Sequence, residues 1–206
     1  MQLPQDKKYT YADYVTWGDD KRYELIDGEI YMMSAPSLDH QAISRELSRR
    51  LANYLDGKTC EVFSAPCDVR LNAGAEDNTV VQPDIIVVCD PEKIKDRKTC
   101  QGAPDLIIEI LSPSTASYDQ IVKLNQYLKA GVREFWLVSP ELRSVLVYLL
   151  KNGEYVIKPY DDTGIIAVNI LEDCQITLAA VFPPAPPEDF PSSSTGRNAE
   201  RTGNSY

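Results

Sequence analysis

Residues 104–114 read PDLIIEILSPS: an apolar run, bounded by Pro104 and Pro113, with one carboxylate, Glu109, in its middle. An apolar segment of this length between breakers predicts a strand over 105–111 that is covered on both faces. A lone ionised glutamate in such a place costs several kcal/mol or more unless it is paired, protonated or bound to a metal. The fold and the chemistry both turn on what compensates Glu109.

Upstream, VVQPDIIVVCD (80–90) is a second β-branched run, broken by Gln82-Pro83-Asp84. Asp84 and Glu109 fall in strands that can lie side by side. Two carboxylates near one sheet end make an oxygen-rich pocket suited to Mg²⁺ or Mn²⁺. The charge of such an ion would keep Glu109 ionised. Gln82, next to Asp84, is placed to hydrogen-bond a ligand or a water.

Downstream, SYDQIVKLNQYLKAG (117–131) predicts a helix over about 117–130, ended by Gly131. Asp119, Lys123 and Tyr127 recur at helical spacing on one face, whereas Ile121, Leu124 and Leu128 occupy another and are expected to pack on the sheet. Lys123 can then reach back toward the carboxylates, where an ammonium can orient a metal-bound water and stabilise growing negative charge. The bland alternatives stay open: a structural ion pair of Glu109 with Lys123, and an i, i+4 salt bridge of Asp119 with Lys123.

The rest of the chain supplies further elements. RYELIDGEIYMM (22–33) reads as a hairpin around Asp27-Gly28, because a tight I′ turn needs positive φ. Ser37 caps a helix of about 18 residues with Ile43, Leu47, Leu51 and Leu55 along one stripe. Arg45, Glu46, Arg49 and Arg50 lie off that stripe and read as a solvated face. Thr10 and Asp13 predict a short helix over 10–17. Residues 59–72, 133–139 and 144–160 read as strands, the last a hairpin around Asn152-Gly153, with weaker signals at 164–171 and 175–179. The expectation is an α/β (α+β) domain over 1–182, a mixed central sheet flanked by helices with additional β-hairpins, followed by a Pro- and Ser-rich tail at 183–206 that is expected to be disordered.

With 206 residues, 43% of them hydrophobic, the chain can bury one sizeable core. A net charge of −10 excludes a protein that coats nucleic acid through a general basic field, but not one that grips phosphates locally. Its apolar runs fall far short of the ~20 residues that span a bilayer, and its first residues carry no apolar leader, so the expected location is cytoplasmic, away from membranes. Cys60, Cys67, Cys89, Cys100 and Cys174 form no CxxC pair and are expected to be ordinary thiols rather than a zinc site or a disulfide framework.

QPD at 82–84, IIEILSPST at 107–115, Asp119, Lys123 and YLKAGVREFWLVSP at 127–140 together closely resemble the Uma family of bacterial restriction endonucleases, as does RYELIDGEIYMMSAPSLDHQ at 22–41. The resemblance spans residues 9–182. It implies the PD-(D/E)xK nuclease-like fold and Mg²⁺-dependent hydrolysis of DNA phosphodiesters, with Asp84 and Glu109 as metal ligands. That superfamily's usual lysine would stand two residues after Glu109, where this chain has Leu111; the resemblance points instead to Lys123, relocated to the following helix. Glu24 and His40 match further characteristic positions and are expected near the metal or the substrate. A homodimer would suit cutting of two strands. Two other classes fit the same residues: a non-catalytic binding or assembly module that keeps the fold, and a metal-dependent phosphohydrolase acting on a small substrate.

Overall fold

The structure, a computed structural model, describes residues 7–18, 21–112 and 119–184, with positions 119 and 120 described by their backbone. The expectation for the tail therefore lies, from residue 185 on, outside the described residues. So does the side chain of Asp119.

The central layer is a six-stranded sheet of β3 (Glu61–Ser64), β6 (Ile85–Val88), β8 (Leu106–Ile110), β9 (Glu134–Ser139), β10 (Ser144–Lys151) and β11 (Glu154–Asp161). Across the sheet the order is β11-β10-β9-β8-β6-β3. All pairings are antiparallel except β8 with β9, the pair joined by the helical crossover over 119–130. The sheet is mixed, as the alternation of strand and helix signals predicted.

A second sheet comprises β1 (Tyr23–Ile26), β2 (Glu29–Met32), β4 (Val69–Arg70), β5 (Val80–Val81) and β7 (Cys100–Gln101), in the order β2-β1-β5-β4-β7. A short pair, β12 (Ile165–Ala167) with β13 (Gln175–Thr177), follows near the end of the described chain. The chain passes from the second sheet to the central one between β5 and β6, through Gln82-Pro83-Asp84. The break inside the apolar run is thus a change of sheet.

Alternation along the strands separates two cores. Leu106, Ile108 and Ile110 of β8 pack with Ile43, Leu47, Leu51 and Leu55 of α2 (Leu38–Leu55), the helix capped by Ser37 as expected. Ile107 points the other way, into a core with Tyr127 and Phe135 beneath the second sheet. Glu109 shares the parity of Ile107, so it faces that second core. The hairpin turns match their sequences: Asp27 and Gly28 have φ of 49° and 79°, and Asn152 and Gly153 of 51° and 86°. The N-terminal helix, α1 (Tyr11–Tyr14), is shorter than expected.

Two expectations are corrected. Cys60 and Cys89 form a disulfide, leaving Cys67, Cys100 and Cys174 as thiols. The reason is register: Glu61 stands opposite Val88 in the β3–β6 ladder, so the next step brings Cys60 opposite Cys89. The crossover helix also differs. It opens with a π-helical turn, Asp119–Lys123, before α3 (Leu124–Ala130), and ends at Gly131 with φ of 80°. The wider turn changes which side chains share a face. Ile121 is 65% exposed rather than packed on the sheet, while Lys123 and Tyr127 are turned inward. Among the described residues no helix is long and apolar enough to cross a membrane.

Candidate active site

Strand register builds the site. In the β6–β8 ladder Ile85 faces Ile108 and Val87 faces Leu106, and one further step sets Asp84 opposite Glu109. Facing residues of antiparallel strands project to the same side of the sheet. The two acids therefore arrive together at the sheet end where the chain changes sheets. They line one cleft of about 230 Å³ with Arg22, Glu24, His40 and Lys123.

Glu109 is 5% exposed, and its compensation comes from α3 and the turn before it. Lys123 Nζ donates to Glu109 Oε1 at 3.1 Å, and Tyr127 Oη donates to the same oxygen at 2.5 Å. The protein itself thus supplies an ammonium and a hydroxyl that offset the Glu109 charge. Lys123 Nζ also lies 2.8 Å from Glu24 Oε1, with Lys123 and Glu24 each 3% exposed. One buried ammonium thus serves two buried carboxylates. Glu24 accepts a further bond from the Gln82 backbone N–H at 2.8 Å.

Asp84 is held differently. Its Oδ2 accepts the Ile110 backbone N–H at 2.7 Å and lies 3.1 Å from His40 Nε2, on the first turn of α2. Asp84 Oδ1 takes no hydrogen bond from the described residues, yet it is not among their sealed, unpartnered polar atoms, so solvent reaches it. The sealed, unpartnered side-chain atom among them is His40 Nδ1.

The sequence-predicted residues meet the structure unevenly. Asp84, Glu109, Lys123, Glu24 and His40 all come to one cleft. Gln82 also lines it, with its amide bonded to the protein. Its Oε1 accepts from Arg22 Nε and Nη2, and its Nε2 donates to Tyr14 and Asp68. Burial, and next the Asp68 charge, push the Tyr14 phenol above its ordinary range, against the Gln82 amide, which lowers it. Sequence reasoning gave no role to Arg22 or to Tyr127. Tyr127's signal was present, four residues after Lys123 on the same face. Nothing in the sequence marked Arg22.

The chemistry of the donor set is acidic and oxygen-rich. Among the described residues no three or more His, Cys, Asp or Glu side chains form a group that could hold a metal by themselves. A closed cage of the structural zinc or calcium type is therefore not what these residues build. Two carboxylates on an open cleft are the smaller set that Mg²⁺ typically takes from protein, completing its shell with water and substrate phosphate.

The profile of the family Uma2, whose description reads "Putative restriction endonuclease", matches residues 11–179. The chain is similar to uncharacterized protein slr1290 of a Synechocystis strain, 31% identical over 159 residues, covering 74% of this chain and 80% of that one. It is similar too to uncharacterized protein sll1609 of the same strain, 30% identical and covering 80% of this chain and 86% of that one. A crystal structure described as a putative nuclease belonging to DUF820, from Anabaena variabilis, shares the fold with a TM-score of 0.69 and 21% identity, over 84% of this chain and 97% of that chain.

Proposed function

This chain belongs to the Uma2 family of proteins described as putative restriction endonucleases, and on that premise we propose that its cleft hydrolyses DNA phosphodiester bonds with Mg²⁺ or Mn²⁺. The observation that carries the reading is the convergence of Asp84 and Glu109, from neighbouring strands, on one cleft walled by a buried lysine. Three carboxylates (Glu24, Asp84 and Glu109) line that cleft against the ammonium of Lys123 and the guanidinium of Arg22. That excess of negative oxygen suits a hard divalent cation, and Asp84 Oδ1 is open to receive one. When bound, such an ion supplies charge neutralisation for the phosphate and a more acidic water.

The chain's own residues do the rest. Ile110 N–H and His40 fix the Asp84 carboxylate, while Tyr127 and Lys123 fix that of Glu109. Lys123, pinned between Glu24 and Glu109, presents its ammonium at the cleft wall. There it orients the attacking water and stabilises the charge that grows on the non-bridging phosphate oxygens. The water oxygen bonds to phosphorus, one P–O ester bond breaks, and the departing oxygen takes up a proton.

The test is nicking of supercoiled plasmid in Mg²⁺ and in Mn²⁺. Wild type should convert it to the open-circular form, and Asp84→Asn and Glu109→Gln should each abolish the conversion. If wild type cuts no nucleic acid in any divalent metal, the enzyme reading fails. One observation favours a non-catalytic module instead: Glu109 Oε1 already receives two donors, so its charge is balanced by the protein. DNA retention without cleavage, unaltered by Mg²⁺, would favour that module. Turnover of a small phosphate ester without DNA cleavage would point to a phosphohydrolase.

A further inference from the structure

A groove of about 660 Å³ leads away from the cleft and shares Arg22, His40 and Asp84 with it. One wall is a face of α2: Gln41, Ser44, Arg45, Ser48 and Arg49, at helical spacing on the side away from the buried Ile43–Leu55 stripe. The other wall is Val62 and Ser64 of the edge strand β3, and Ser48 and Ser64 bring their hydroxyls to 2.8 Å of each other.

The charge along this groove is opposite to that of the chain. It is lined by three arginines and one acid, Asp84, on a protein of net charge −10. Arg49 is neutralised by Glu46 at 2.7 Å, but Arg45 has no ion-pair partner among the described residues. Arg22 spends Nε and Nη2 on a neutral amide oxygen and forms no ion pair among the described residues, where its Nη1 has no protein partner either. The amide that holds it is itself anchored by Tyr14 and Asp68. A guanidinium held by a neutral acceptor at the mouth of an acidic cleft is pre-positioned for an anion.

We propose that this groove carries the phosphate backbone of the DNA strand leading into the cleft, with Arg22 at the reacting phosphate's neighbour and Arg45 further out. The assignment rests on the functional reading above and deepens it. From Gln41 to Arg49 the helix rises ~12 Å, the rise of about three to four nucleotides of one duplex strand. The contacts are to phosphate, so they set position and affinity, not sequence preference.

The experiment is fluorescence anisotropy with a labelled 20-base-pair duplex across a series of salt concentrations, alongside the plasmid nicking assay. Removing one arginine that neutralises a phosphate should reduce the slope of log K against log salt by about 0.9. Arg45→Ala and Arg22→Gln should each show that reduction, alike on unrelated duplex sequences. Arg22→Lys should retain the slope, and Lys158→Ala, on the far edge strand β11, should leave it unchanged. Arg45 makes no bond to the described protein, so its variant does not put folding at stake. If wild type binds and cuts while Arg45→Ala and Arg22→Gln keep the wild-type slope, the groove assignment is overturned and the nuclease reading stands. If wild type neither binds nor cuts DNA, both fall.

Discussion

Replacing Lys123 with methionine removes the ammonium on which two buried carboxylates depend. Lys123 and Glu24 are each 3% exposed and Glu109 is 5% exposed, so neither acid can recover its hydration without local opening. Breaking a buried ion pair from one side costs about 3–5 kcal/mol. Each acid here keeps at least one donor, Glu24 the Gln82 N–H and Glu109 the Tyr127 hydroxyl, which places the cost near the lower end, ~3 kcal/mol. With a urea m-value of about 2.5 kcal/mol/M, the unfolding midpoint should fall by ~1.2 M. Adding Glu24→Gln removes one of the stranded charges. The double variant should therefore be destabilised by less than the sum of the two single variants, with a coupling of about 1–3 kcal/mol. Urea denaturation followed by tryptophan fluorescence measures all four proteins. A midpoint for Lys123→Met within about 0.3 M of wild type, or strictly additive effects, would refute the reasoning, because the cluster would then be solvated rather than buried.

Glu134 is fully buried, bonded to Trp136 Nε1 at 2.8 Å and to the Ile170 N–H at 3.0 Å, and desolvation raises its carboxyl above the ordinary range. Between the unfolded value, about 4.3, and that raised value the native state binds more protons than the unfolded chain, so wild-type stability falls as pH rises through the window. Glu134→Gln should remove that component: the stability of wild type minus that of the variant should decline with rising pH and then level, and a rise would contradict the argument. Gly28 has φ of 79°, and an added Cβ would come 2.9 Å from Lys8 Cβ, whereas Gly153 has φ of 86° with open space around it. Gly28→Ala should thus cost more than the about 1–3 kcal/mol expected of backbone strain alone, and more than Gly153→Ala, as thermal unfolding of the two variants would show.

Much of this was legible because local signals and burial agreed. The Asp27-Gly28 and Asn152-Gly153 turns, the Ser37 cap with its leucine stripe, and the doubly buried runs around Ile86 and Ile108 each fix an element from within their own segment. Asp84 and Glu109 were legible as a pair for the same reason: acids inside such runs demand a partner. What escaped the sequence is set by pairing between distant segments. The disulfide depends on the β3–β6 register, which brings Cys60 and Cys89 together across 29 residues. The exposure of Ile121 depends on a π-helical opening that no residue type announces. The partners of the Gln82 amide escaped as well, because Arg22, Tyr14 and Asp68 converge on it from three distant segments.

The central claim is that the Asp84 and Glu109 carboxylates together receive a divalent ion in the cleft beside Lys123. Anomalous diffraction from a crystal soaked in Mn²⁺ tests it directly. The account predicts one strong peak with oxygens of both acids at about 2.0–2.6 Å, vanishing in Asp84→Asn. A cleft without that peak at saturating Mn²⁺, with Lys123 still clamped between Glu24 and Glu109, would contradict it.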